Sequence, residues 1–417
     1  MTAIHEATGR MLDERLSALA EAIVARQYSL RPDLEGQYGP EGRARCVHDT
    51  EHHLANLSAA VAVSSPALFS DYLDWARSVL AASEVREEDV EGNLGCLQEV
   101  LSAALPGEYG DVTRRFLKEA IQCSRSPARF PPSLIAGDEP LAALAGDYLR
   151  ALMRYDRRAA TRLILVAVGS GVPVPDIYLH VFQRCQREVG RLWQTRQVSV
   201  AQEHFGTAVT RSLMARLAPE AAPDRGNGRR AVAASVCGER HEVGLRVVAD
   251  FFEMDGYEVL YLGAGTPAPD LIGTVADRRP DLLLISATMV AHFSGVGSLI
   301  AAVRNREECR EVTVLVGGHP FDVVPDLWRQ SGADGYAADA RGELAEAGRL
   351  LADRSGFSTP TRHPRSSARD DFHDRRRDDS GIKEERRCSA SRSSGRLRRL
   401  RCPTPARSPS PPCPPCW

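Results

Sequence analysis

Gly238-Glu239-Arg240-His241-Glu242-Val243-Gly244 is the stretch on which the reading of this chain turns. The apolar run Ala231–Val236 leads into it, and the amphipathic run Val243–Met254 leads out. That order predicts a strand, a loop and a helix, with a histidine on the loop. An acidic residue stands two places before His241 and a glycine three places after it. A histidine so placed can offer one ring nitrogen to a metal while a carboxylate holds the other. Gly244, lacking a Cβ, lets the start of the helix pack close to something large.

The pattern continues on the C-terminal side. Short apolar runs at Ala231–Val236, Tyr257–Leu262, Asp281–Ser286, Val312–Val316 and Gly335–Ala337 predict five strands, with helices between them and a last helix ending near Ala352. Strands alternating with helices imply a parallel, doubly wound sheet. In the flavodoxin-like strand order, a ligand sits outside the carboxyl ends of the strands. His241 follows the first strand, Gly263 and Gly265 the second, Ser286 the third, and Gly317 and Gly318 the fourth, so these positions share one edge. A dinucleotide fold would need a glycine-rich Gly-x-Gly-x-x-Gly loop after the first strand. The bulky Glu239-Arg240-His241 found there would obstruct a pyrophosphate, which excludes that reading.

These motifs resemble the cobalamin-binding domain of methionine synthase and its relatives. That family carries Asp-x-His-x-x-Gly, then Ser-x-Leu after the third strand, then Gly-Gly after the fourth. The counterparts here are Glu239-x-His241-x-x-Gly244, Ser286-Ala287-Thr288 and Gly317-Gly318. Glu239 stands in place of the family's Asp, and Thr288 in place of its Leu. The resemblance implies that His241 ligates cobalt from below while Glu239 orients its ring. It also implies that the cofactor's own dimethylbenzimidazole is displaced into a pocket lined by Ser286, Thr288, Gly317 and Gly318.

Upstream, residues 140–218 show four helical runs, Leu141–Arg154, Arg157–Val168, Pro175–Trp193 and Ser199–Leu217. Short turns between them predict an antiparallel four-helix bundle. It resembles the helical cap that precedes such cobalamin domains. Trp193, nine further residues, then Glu203-His204 is similar to the cap of light-sensing, adenosylcobalamin-dependent repressors. The resemblance implies that Trp193 covers the upper face of the corrin and that Glu203 and His204 line the same side. Some members carry a capturing histidine directly after the Trp; Gln194 occupies that place here.

Residues 1–124 predict a further all-helical bundle of about five helices, with Pro66 and Pro106 at helix starts or breaks. His48 and His52 are four apart, but no second ligand group accompanies them, so they read as a polar helix face. No helix-turn-helix is recognisable. Residues 125–139 are a Pro- and Ser-rich linker, the sheet domain spans 229–354, and residues 355–417 form a basic Pro/Ser/Arg-rich tail expected to be disordered.

The formal net charge of the 417 residues is −2, and because the tail is basic the rest is acidic, which argues against a folded nucleic-acid-binding body. No stretch approaches the roughly 20 apolar residues of a membrane span. The cysteines before the tail show no metal-type pairing and read as reduced packing residues of a cytoplasmic protein. The expectation is a multi-domain α and α/β chain that acts as a cobalamin-binding sensor rather than an enzyme. Adenosylcobalamin is favoured as its cofactor, light is a candidate signal, and a protein partner is reached through the N-terminal bundle. The alternative is a corrinoid shuttle that carries methylcobalamin between methyltransferases. A mutase subunit is a third reading, although the chain lacks the long barrel that chemistry needs. Homo-oligomerisation is left open.

Overall fold

In the computed structural model, the described residues are 3–124, 132–135, 137 and 139–356. The tail from residue 357 on, and most of the first linker, lie outside them.

Six helices build the N-terminal bundle: α1 (Ala3–Glu14), α2 (Leu16–Leu30), α3 (Asp33–Ala62), α4 (Pro66–Ala82), α5 (Glu87–Ala104) and α6 (Gly107–Cys123). The count exceeds the expected five because the first helical run divides at Arg15. Helix α3 breaks at Gly39, whose φ of 65° precedes Pro40. Pro66 opens α4 at a position where its missing N–H costs nothing, and Pro106 caps α6.

The second helical unit comprises α7 (Ala142–Met153), α8 (Arg157–Gly169), α9 (Val174–Ile177), a π-helical turn (Tyr178–Gln183), α10 (Arg184–Gln194) and α11 (Val200–Ala221). The run read as one helix over Pro175–Trp193 is thus three segments in line. Helix α11 starts on a capping box: Ser199 accepts from the Gln202 N–H while the Gln202 side chain accepts from the Ser199 N–H.

The remaining elements alternate: β1 (Arg230–Ser235), α12 (Val243–Met254), β2 (Glu258–Gly263), α13 (Ala268–Arg278), β3 (Leu282–Ser286), α14 (Phe293–Asn305), β4 (Thr313–Gly317), α15 (His319–Val323), α16 (Leu327–Ser331), β5 (Gly335–Tyr336) and α17 (Ala340–Gly356). The sheet is wholly parallel in the order β2-β1-β3-β4-β5, the flavodoxin-like arrangement expected from the alternation. Strands β1, β3 and β4 are buried on both faces, which is why they read as continuous apolar runs rather than alternating ones. Register places Ser235, Ser286 and Gly317 in one row at the carboxyl edge.

Both helical units pack on the sheet domain. Val243, Val247 and Phe251 of α12 join the core of the second unit. There the buried Tyr178 hydroxyl donates to Asp250 at 2.7 Å. The N-terminal bundle meets the loops beyond β3 and β4, where α3 touches the 3-10 turn Val290–His292 and α4 touches α15. No described helix is long and apolar enough to cross a membrane.

Candidate functional site

After β1 the chain turns through Gly238, whose φ is 88°, and presents Glu239 and His241, 1% and 5% exposed. Oε1 of Glu239 accepts from the backbone N–H of Arg240 (2.8 Å) and of His241 (2.9 Å), and from Nδ1 of the His241 ring. Oε2 accepts from the N–H of Thr288 (2.7 Å) and Met289 (3.2 Å) and from Nδ1 of His292 (3.0 Å). An ionised carboxylate only accepts, so the proton of the His241 ring sits on Nδ1 and its lone pair on Nε2. Burial alone would raise the Glu239 carboxyl. The hydrogen bonds from His241 and His292 outweigh that and hold it far below the usual carboxylate range. The longer Glu arm, where the resembling family has Asp, ties the loop after β1 to the loop after β3.

The other edge positions are close by. A Cβ on Gly318, at φ 111°, would collide with the Ala287 carbonyl, and one on Gly317 would come within 2.5 Å of Glu343 Oε1. Gly318 lets the β4 loop lie against the β3 loop, and Gly317 leaves room for the Glu343 side chain of α17. A Cβ on Gly244 would meet nothing within 4 Å, and this residue opens onto a cavity of about 870 Å³. The sheet edge supplies one wall of the cavity, with His241, Gly244, Ser286, Thr288, Gly317 and Gly318 all lining it. Glu343, at the start of α17, lines it too. Burial pushes its carboxyl up to about 8, and Asp322 and Asp339 add to the rise.

Two helical units supply the other walls. From α10 come Gln186, Gly190 and Gln194, with Arg187 and Arg191 beside them. From α3 and α4 come Asn56, Asp71, Trp75 and Arg77. A hydrogen bond of 2.6 Å between His319 and Asp71 joins the bundle to the sheet domain at the cavity rim.

The three cap residues singled out in the sequence lie elsewhere. Trp193, Glu203 and His204 are not among the residues lining the cavity. Trp193, on α10, is 8% exposed. The buried carboxylate of Glu203 is turned to the His204 ring and to the Thr207 hydroxyl, at 3.0 Å for the latter. The same hydroxyl also lies 3.0 Å from Oε1 of Gln186, which lines the cavity.

Periodicity alone missed His292, His319, Glu343 and every bundle residue of the wall. His292 lies six residues after the Ser286 motif, a spacing that carried no cue. The bundle residues sit more than 150 positions from His241, and only the tertiary fold brings them together. His48 and His52 do not form a metal site: among the described residues no group of three or more His, Cys, Asp or Glu is arranged to hold one.

Residues 229–345 match the family model of a B12 binding domain, and residues 144–218 match a second B12 binding domain model. A dimethylamine corrinoid protein of Methanosarcina barkeri is 31% identical over 119 residues, 28% of this chain and 54% of the relative. The HTH-type transcriptional repressor CarA of Myxococcus xanthus is 34% identical over 125 residues, 29% of this chain and 41% of the repressor. The chain thus spans about half or less of the length of these curated relatives. Among solved structures, the monomethylamine corrinoid protein of Methanosarcina barkeri aligns at 21% identity with a TM-score of 0.45, covering 51% of this chain and 99% of that one. The residues present suit such a cofactor: an imidazole with its Nδ1 held by a carboxylate, glycines that keep the β4 loop low, and a large cavity beside them. The helical unit over residues 144–218 and the sheet domain over residues 229–345 belong to the family of cobalamin-binding domains.

Proposed function

We propose that this protein is a cobalamin-binding sensor rather than an enzyme, in which His241 would hold the cobalt. The observation that carries the reading is that His241, its ring held from behind by the buried Glu239, lines a cavity walled by the sheet edge and by two helical units. A sensor benefits from such walls, because a change in the bound ligand then acts on elements that can move. In this reading Nε2 of His241 would hold the cobalt, while Glu239 keeps the ring in place through Nδ1. Ser286, Thr288, Gly317, Gly318 and Glu343 line the space left for the nucleotide tail. Bound cobalamin supplies a cobalt–carbon bond whose upper group is the variable that a sensor can read. Adenosylcobalamin is the favoured form. A protein partner receives the output through the N-terminal bundle.

One observation favours a second reading. The dimethylamine corrinoid proteins are 28–31% identical to this chain across the matching region, which suits a methyl shuttle. A shuttle must expose its upper face to two methyltransferases, so the walls would have to swing away in turn.

The test is spectroscopic. The full chain is loaded with adenosylcobalamin or methylcobalamin, desalted, and its absorbance recorded. His241→Ala is expected to lose the cofactor or to return its spectrum to the base-on form. Glu239→Gln is expected to weaken binding by about 10- to 100-fold, the usual cost of removing a partner that orients a metal ligand. An unchanged spectrum in His241→Ala overturns the assignment of the ligand. Retention of methylcobalamin with rejection of adenosylcobalamin favours the shuttle.

A further inference from the structure

One carboxyl in the cavity wall has no hydrogen-bond partner among the described residues. Glu343, in the first turn of α17, is 6% exposed and lines the cavity. Its Oε1 lies over Gly317, where a Cβ would come within 2.5 Å of it. Gly317 lines the cavity too and stands beside Ser286 in the register of β3 and β4. The carboxyl group is thus placed at the sheet edge, in the row that holds Ser286. Neither of its oxygens is among the buried side-chain atoms that lack both surface and partner. Both therefore keep some surface, and the open space that Glu343 borders is the cavity.

The charges that act on this group are negative. They come from Asp322 of α15 and from Asp339 just before α17, and the Tyr336 phenol of β5 is close enough to feel the Glu343 charge in turn. Both aspartates are engaged: Oδ1 of Asp322 accepts from the Tyr336 hydroxyl and Oδ1 of Asp339 from the Gly342 N–H, each at 2.7 Å. Burial first, and the two aspartates second, push the Glu343 carboxyl up to about 8. Near neutrality it is a neutral acid with one O–H to donate. A donor that faces a cavity without an acceptor of its own suits a ligand atom that only accepts.

In the cobalamin reading above, His241 would hold the cobalt and so free the lower base of the cofactor. A ring nitrogen of that base is then left with an unshared pair and no metal. We infer that Glu343 is a specificity-determining residue whose carboxyl O–H donates a hydrogen bond to such a ring nitrogen, so that the chain selects corrinoids whose lower base is a nitrogen heterocycle. The inference rests on the cobalamin reading and adds to it a preference among lower bases.

The test uses the full chain as wild type, Glu343→Gln and Glu343→Leu. The ligands are cobalamin and a cobamide whose lower base is a phenol, which has no ring nitrogen. Both affinities are measured by titration from pH 6 to 9, and the melting temperature without ligand is followed in parallel. The readout is the ratio of the two affinities, because the cost of freeing the heterocycle from cobalt is the same for every variant and cancels. Glu343→Leu, which has no donor, is expected to lower this preference for cobalamin by about 10-fold at neutral pH, the effect of one hydrogen bond. Glu343→Gln keeps an N–H and should restore most of it. In the wild type the preference should fall as pH rises through about 8, where the carboxyl loses its proton, and in Glu343→Gln it should stay level. A wild-type ratio that is flat with pH and equal to that of both variants overturns the inference and leaves cobalamin binding intact. If Glu343→Leu does not fold, the pH profiles of the other two proteins decide: a wild-type ratio as flat as that of Glu343→Gln overturns it. Failure of the wild-type chain to retain either ligand overturns the cobalamin reading as well.

Discussion

At the scale of single residues, two carboxylates in this site are driven in opposite directions by their surroundings. Glu239 is buried but accepts from two imidazoles and four backbone N–H groups, which keeps it ionised. Glu343 is buried with carboxylates nearby and is pushed up to about 8, so near neutrality it is largely protonated. The consequence for stability has a definite sign. A carboxyl whose folded pKa lies above its unfolded one favours the folded state fully below the unfolded value, near 4.5, and that advantage is lost as pH rises through about 8. Glu343→Gln is uncharged at every pH and should abolish this dependence. The melting temperature of the variant, measured against wild type from pH 5 to 9, should gain with rising pH. A gap between the two proteins that does not widen with pH would show that Glu343 is ionised in the fold.

At the scale of elements, the sheet domain was legible because its signals are local. Continuous apolar runs marked the buried strands, and the placement of His241, Ser286 and Gly317 after three of them put all three on one edge, where they line one cavity. The helical walls were less legible. Residues Val174–Gln194 contain the π-helical turn Tyr178–Gln183, which changes the phase of everything after it without a mark in the periodicity. The Trp193–Glu203–His204 spacing could therefore be read, but the direction of those side chains could not. Nor could helix periodicity distinguish Trp75 and Arg77 from an ordinary bundle face, since the cavity they line is completed by distant parts of the chain. The β4 loop yields a prediction at this scale. Gly318 combines a left-handed φ with close approach to the Ala287 carbonyl, so Gly318→Ala must bend the loop away from β3. The expected cost is about 1–3 kcal/mol of stability, seen by denaturant titration, together with weaker cobalamin retention. Unchanged values for both would mean that the loop has slack that its packing does not suggest.

At the scale of the whole molecule, three units share one cavity, and this arrangement limits how large a ligand response can be. Moving a two-state equilibrium from 99:1 to 1:99 takes about 5.5 kcal/mol of differential binding. Under the proposed sensor role, the contacts of one upper ligand with a helical wall would supply only part of that, so its loss should loosen the bundle rather than release it. The cobalt–carbon bond of adenosylcobalamin is photolabile, which makes light a convenient way to remove that ligand in place. The interface most exposed to the change is the one between α3, α4 and the loops after β3 and β4, which the single Asp71–His319 hydrogen bond bridges at the rim. Half-exposed groups such as these contribute little on their own, at most about 1 kcal/mol. We therefore expect hydrogen exchange in residues 50–78 to rise on illumination of the adenosylcobalamin-loaded chain, with a smaller change or none in the sheet strands. The dark methylcobalamin form should stand apart from the dark adenosylcobalamin form in the same segment, because the smaller upper group reaches less of the wall. A fully photolysed absorbance spectrum with unchanged exchange across residues 50–78 would rule out the bundle as the element that reads the upper ligand, and would shift attention to the Gln186–Thr207–Glu203 network in the other wall.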